Sequence, residues 1–291
     1  MPPAKAQKRR KMPSHANLCP FCRGLNSAGE RRCYRCGRAL PGPLVSGIIA
    51  FFTDSFGGAG AMTRFFLVLS LIVFALSVIT DHHIPLWWGE QFSQSTLLRF
   101  GATGGPLGLI EPWRYLSAVF VHANLLHVGM NSWVLASVGL RVESELGKAR
   151  FVMLFVLSGV LGFLTGDVYY GFMGAGGVGA SGSIFGLFGA AIGVAYARRD
   201  PTWKQLLLQN VVWLVILSLL DRTNNAAHVG GLATGALLGF LFSKETRKLN
   251  LDRPFALIAG LFVVLSVASI GLSAFSPISR AIHAREMGRE Y

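Results

Sequence analysis

From Arg64 onward the chain is dominated by seven apolar runs, at residues 65–80, 115–140, 151–166, 178–197, 203–220, 226–242 and 255–275. A helix needs about 20 such residues to cross the hydrocarbon core of a bilayer. Backbone groups find no water there, so a crossing segment must satisfy its own N–H and C=O groups, and runs of this length predict helices. The mean hydropathy of +0.49 and a charged fraction of 14% exclude a soluble globule of 291 residues. The reading is an all-α membrane protein with a six-helix core and a seventh, C-terminal span.

The formal net charge of +13 raises nucleic acid as a partner, but the basic residues lie between apolar runs rather than along one face. Eleven Lys and Arg precede the first run, three lie in 141–150, three in 198–204 and four in 244–253. The alternate connections and the C-terminal tail hold only six. Under the positive-inside rule this predicts a cytoplasmic N-terminus and a C-terminus on the opposite side. Residues 1–16 (MPPAKAQKRRKMPSHA) are basic and lack apolar periodicity, which predicts a disordered tail. No secretory leader or organelle transit segment is evident, which favours a bacterial cell membrane.

All four cysteines fall in residues 17–42, as CPFC and CYRC. Cys19, Cys22, Cys33 and Cys36 offer two tight thiolate pairs, the ligand set of a structural tetrahedral zinc, with a redox or iron site as the alternative. So short a segment cannot build a core, and metal binding would supply most of its folding energy. This zinc-ribbon-like module implies a reducing compartment and a stabilising or docking role for a partner the sequence does not name. The neighbouring KRRK run makes nucleic acid the runner-up there, but no aromatic and basic array supports it, and none is expected as a partner. Residues 43–63 form a linker: a nine-residue apolar piece, 44–52, is too short to span and is expected at the membrane surface, followed by glycines at 57–60.

Ser181 is the hydroxyl of interest, a few residues into the fourth run and hence an expected 6–9 Å, roughly, below the surface where that run enters the membrane. Behind it Gly182, Gly186, Gly189 and Gly193 form a ridge, matched on the sixth run by Gly231, Gly235 and Gly239. Such ridges let helix backbones approach closely in lipid. His228 precedes the second ridge, and His122, His127 and Asn131 lie on the second run. In the predicted topology all these runs enter from the outer face, with their polar groups at one depth. Taken singly, each group reads as interhelical glue or as a serine bonded to its own helix. Together they predict a site in which neutral His228, favoured over its charged form by burial, takes the proton of Ser181 as it attacks a carbonyl. His127 and Asn131, four apart on one helical face, would donate to the developing oxyanion.

The chain resembles the rhomboid intramembrane serine proteases. The residues that carry this are Trp113-Arg114, HANLLHVGMN at 122–131, Glu143 in RVESELG, GASG at 179–182 and AHVGG at 227–231. The resemblance covers 64–243, leaving 244–291 as a loop, the seventh helix and a tail. It implies that Ser181 is the nucleophile and His228 its base, a dyad without a carboxylate and without a catalytic cofactor. It assigns the oxyanion hole to His127, Asn131 and the Ser181 amide. Supporting roles fall to His122, Gly179, Gly182 and Glu143, with Trp113-Arg114 in a loop lying partly in the outer leaflet. Where many relatives have a tyrosine stacked on the histidine, this chain has Phe185, which keeps the ring and loses the hydroxyl. Substrates would be transmembrane segments with weakened helices. The alternatives are an inactive relative that binds transmembrane clients, or a transporter, which the lack of intramembrane carboxylates beyond Asp167 and Asp221 disfavours. An α/β-hydrolase is excluded, because GxSxG requires glycine where Ser183 stands.

Overall fold

The computed structural model describes the chain apart from residues 1–16, 20–23, 28–29, 41, 43–44, 46–57, 59, 88, 105, 173–175, 220–223, 246–250 and 287–291; the side chains of 17, 18, 218, 283 and 286 are also outside it. The basic tail, Cys22 and most of the 43–63 linker therefore lie outside the described residues. Residues Met1–Ala50 and Phe51–Tyr291 form two separate units.

In the first unit, β1 (Asn17–Leu18) pairs antiparallel with β2 (Leu25–Asn26). The Cys19 amide donates to Gly24 O, and the Gly37 amide donates back to Cys33 O, closing a turn over 33–37.

The described residues of the second unit form helices joined by loops, with no strand among them. In chain order its elements are α1 (Ala61–Asp81), α2 (Gln94–Phe100), α3 (Leu107–Ile110), α4 (Arg114–Ser117), α5 (Leu125–Val134), α6 (Leu140–Leu146), α7 (Lys148–Tyr169), α8 (Ser181–Ala197), α9 (Thr202–Ser218), α10 (Asn225–Lys244), α11 (Asp252–Ala274) and α12 (Pro277–Glu286). Four of these apolar stretches are long enough to cross a bilayer: α1, α7, α10 and the segment Asp252–Ile282 that begins with α11. The helices α8 and α9, of 17 residues each, are shorter.

The second apolar run departs from its expected form. It is no single helix over 115–140: α4 passes into a 3-10 turn at Ala118–Phe120, and Val121 is extended. A continuous helix begins only at α5 and passes through a π turn at Leu135–Gly139 into α6. The cause is local, because Asn124 holds an extended conformation and its Oδ1 caps the His127 amide at 2.8 Å. Residues 94–120 thus build a loop with its own short helices ahead of the spanning segment.

Among the four long apolar helices, α7 is the most enclosed. Phe151 and Phe155 pack with Phe66 of α1, the Phe66–Phe155 rings stacking at 4.4 Å, and Phe120 packs against Phe66 and Phe155. Beside it, α8 and α10 cross on their glycines. A Cβ on Gly231 would lie 2.1 Å from Gly182 O, and one on Gly235 would lie 1.8 Å from Gly186 O. Only a bare Cα permits that approach. Glu143 ties the start of α1 to α6: its carboxylate accepts from the amides of Met62 (3.1 Å) and Thr63 (2.8 Å) and from the Thr63 hydroxyl (2.7 Å).

Candidate active site

The glycine crossing delivers the first turns of α8 and α10 to one place. Ser181 is the first residue of α8, and not several residues inside it as the apolar pattern implied. Its position is therefore fixed by the preceding loop. The Thr103 and Gly177 backbones exchange hydrogen bonds (3.2 and 3.0 Å), and the Gly179 amide donates to Ala118 O at 2.8 Å. Gly179 has φ +115°, and a Cβ there would lie 2.6 Å from His127 Nε2, so both conformation and space require glycine.

His228 sits in the first turn of α10, where the Asn224 side chain caps the Ala227 amide at 3.0 Å and Asn224 O accepts from the His228 amide. Its Nε2 lies 2.9 Å from Ser181 Oγ. The Phe185 ring, one turn along α8, stacks on the imidazole at 4.7 Å and 24°. His228 Nδ1 is buried and meets no acceptor among the described residues. Among the described residues this is a two-member arrangement: the imidazole is oriented by stacking and by its helix, with no carboxylate bonded to it.

The α5 side faces the same point. Asn131 Nδ2 is buried with no acceptor among the described residues, which leaves a donor available for a ligand. It and His127 flank Gly179, since the Cβ that would lie 2.6 Å from His127 Nε2 would also lie 3.4 Å from Asn131 Nδ2. The rings of His122 and His127 meet edge-on at 5.0 Å. His122 is buried, its Nε2 accepting from the Ala180 amide at 3.4 Å and its Nδ1 lying 3.3 Å from Phe120 O. Accepting at Nε2 puts the proton on Nδ1, where Phe120 O receives it. The Ser181 amide, at the start of α8, has no intrahelical acceptor and lies at the positive end of the helix dipole.

Trp113 and Arg114 belong to the loop helix α4. Arg114 is fully buried inside the protein, where its Nε donates to Glu111 at 2.6 Å. The two capping asparagines, Asn124 and Asn224, were not singled out from the sequence, although an asparagine three or four residues before each histidine was a legible cap signal. In the first unit, the Sγ atoms of Cys19, Cys33 and Cys36 lie within 4.8 Å of one another. The Arg35 amide donates to Cys33 Sγ at 3.3 Å. This donor set and its convergence fit a thiolate metal site.

Comparison with known proteins places this geometry. Residues 109–245 match the Rhomboid domain family model. The chain is 30% identical over 208 residues to Rhomboid protease GlpG of Klebsiella pneumoniae, covering 68% of this chain and 69% of that protein. The chain belongs to the rhomboid family. Among other rhomboid proteins, it is 28% identical over 229 residues to Rhomboid-like protease 1 of Toxoplasma gondii, covering 74% of this chain and 75% of the relative. It is 30% identical over 184 residues to Rhomboid protease GluP of Bacillus subtilis, where the match covers 61% of this chain but 34% of the relative. The matched part thus spans about a third of that longer rhomboid's length. With its apolar helices and rhomboid domain, the chain is an integral membrane protein.

Proposed function

We propose that this rhomboid is an intramembrane serine endopeptidase that cleaves transmembrane segments of other proteins. The observation that carries the reading is the 2.9 Å approach of Ser181 Oγ to His228 Nε2, at the distance a general base needs to take a hydroxyl proton. Ser181 Oγ attacks the scissile carbonyl as its proton passes to His228 Nε2, forming the C–O bond and an oxyanion. The Ser181 amide, the Asn131 Nδ2 donor and His127 stabilise that charge. His228 then returns the proton to the leaving amine, the peptide C–N bond breaks, and an acyl-enzyme remains. Water, activated by the same imidazole, hydrolyses it and restores Ser181. A stable helix does not offer its carbonyls, so preferred substrates are segments with small or helix-breaking residues near the cleavage point.

The domain scheme of this reading is a basic tail (1–16), a zinc-ribbon-like module (17–42), a linker (43–63), a six-helix protease core (64–243) and a final segment with a seventh span (244–291). The charge distribution favours an inside N-terminus and an outside C-terminus, and the membrane in this reading is a bacterial inner membrane. Cys19, Cys22, Cys33 and Cys36 would hold zinc, which contributes folding energy to the module and takes no part in hydrolysis. Metal analysis of freshly purified protein should return one zinc per chain, and none would remove this assignment.

The protease reading is tested with a fluorophosphonate probe on protein in proteoliposomes. Labelling lost in both Ser181→Ala and His228→Ala supports it. Absence of labelling in the wild type, with transmembrane clients bound equally by wild type and Ser181→Ala, points instead to an inactive client-binding protein.

A further inference from the structure

The C-terminal end of the chain reaches back to the loop beside the candidate site. Ser273, Ser276 and Ser279 are spaced by three residues and buried, and all three bond to the loop built from 94–120. At its centre Arg114 is fully enclosed: Nε donates to Glu111 (2.6 Å), Nη1 to Leu98 O (2.7 Å) and Ala102 O (3.2 Å), and Nη2 to Ser279 Oγ (2.6 Å). The Ser279 hydroxyl in turn donates a hydrogen bond to Leu98 O at 3.1 Å. The Ser276 hydroxyl donates to the second Glu111 oxygen at 2.5 Å and caps the start of α12 by accepting from the amides of Ile278 and Ser279. Ser117 Oγ bridges Ser273 Oγ (3.1 Å) and Gly101 O (3.1 Å).

A buried ion pair costs much desolvation unless its remaining hydrogen-bonding positions are filled. Here residues beyond the rhomboid domain match at 109–245 fill them. The ring connects onward: Ala102, held by Arg114, precedes Thr103, which pairs with Gly177 four residues before Ser181. We propose that Ser276 and Ser279 are positioning residues, through which the C-terminal segment holds the Glu111–Arg114 pair and thereby the loop that presents Ser181. The inference rests on Ser181 being the nucleophile for its activity readout alone.

The test uses the full chain in proteoliposomes, comparing wild type, S279A, S276A/S279A and the conservative S276T. S266A serves as a control, because Ser266 is equally buried but bonds only to its own helix at Phe262 O. Two quantities are read: the rate of fluorophosphonate labelling, and hydrogen exchange of the amides in 98–103 and 176–180. Expected are labelling slowed by about 10- to 100-fold in S276A/S279A, a smaller loss in S279A, near-wild-type rates in S276T and S266A, and faster exchange in both peptides of the double variant. If S276A/S279A labels at the wild-type rate with unchanged exchange, or if S266A loses as much, the proposal fails. If the double variant does not fold, S279A decides by the same two quantities. If the wild type does not label while the exchange difference is present, the clamp stands and the protease reading falls.

Discussion

Replacing Gly235 by alanine tests whether the glycine crossing, more than any hydrogen bond behind His228, sets the Ser181–His228 distance. The added methyl would lie 1.8 Å from Gly186 O, whereas ordinary contacts there begin at 3.4 Å. The obstacle is helix backbone, so α8 and α10 must part by roughly 1.6 Å. Such an overpacked contact costs about 1–3 kcal/mol. A shift of that size carried to the first turns would move the 2.9 Å Ser181–His228 contact to roughly 4.5 Å, beyond hydrogen-bond reach. Losing the positioned base lowers the rate by about 10²–10⁴. Fluorophosphonate labelling of G235A in proteoliposomes, normalised to folded protein, should therefore fall by at least about 100-fold while helix content stays near wild type. The control is G271A, since nothing lies within 4 Å of a Cβ on Gly271, and alanine there gains up to about 1 kcal/mol of helix propensity. Wild-type labelling by G235A, or an equal loss in G271A, would refute the argument from crossing distance.

Further predictions concern the supports of the site. Glu143→Ala removes three bonds to the first turn of α1 and should lower stability by about 2–3 kcal/mol, read as a lower midpoint of thermal unfolding, with Glu143→Gln less affected. Phe185→Ala removes the ring stacked on His228 and should slow labelling, whereas Phe185→Tyr, which keeps the stack, should stay within a few-fold of wild type. Asn124→Ala leaves the His127 amide uncapped and should cost about 0.5–2 kcal/mol. Its labelling rate should fall more than that of Asn210→Ala, whose amide bonds only within its own helix.

What was legible in the sequence was whatever repeats with helical periodicity or shows as a spacing. The glycine ridges, the His127–Asn131 pair and the apolar runs are of this kind, and they meet in the structure as α8, α10 and α5. The break at 121–124 was passed over because the apolar residues on either side of His122 and Asn124 carried one continuous run through them. Its cause is the single cap at Asn124, a signal that averaging hydropathy over the whole run leaves out. The start of α8 at Ser181, three residues into the apolar run, was likewise not legible, since a pattern of apolar residues does not mark where Gly179 turns the chain into a helix. The serines at 273, 276 and 279 were not singled out from the sequence. Their partners lie more than 150 residues away, and no local pattern announces them.

Glu143 meets Thr63 across 80 residues of chain, and this has a bearing on biosynthesis. While the ribosome is still making α5, α1 already exists, but the acceptor for its leading amides has not yet been translated. The first helix therefore enters the bilayer with its leading end loose, and it locks in register only after α6 emerges, which makes its seating a late event in assembly.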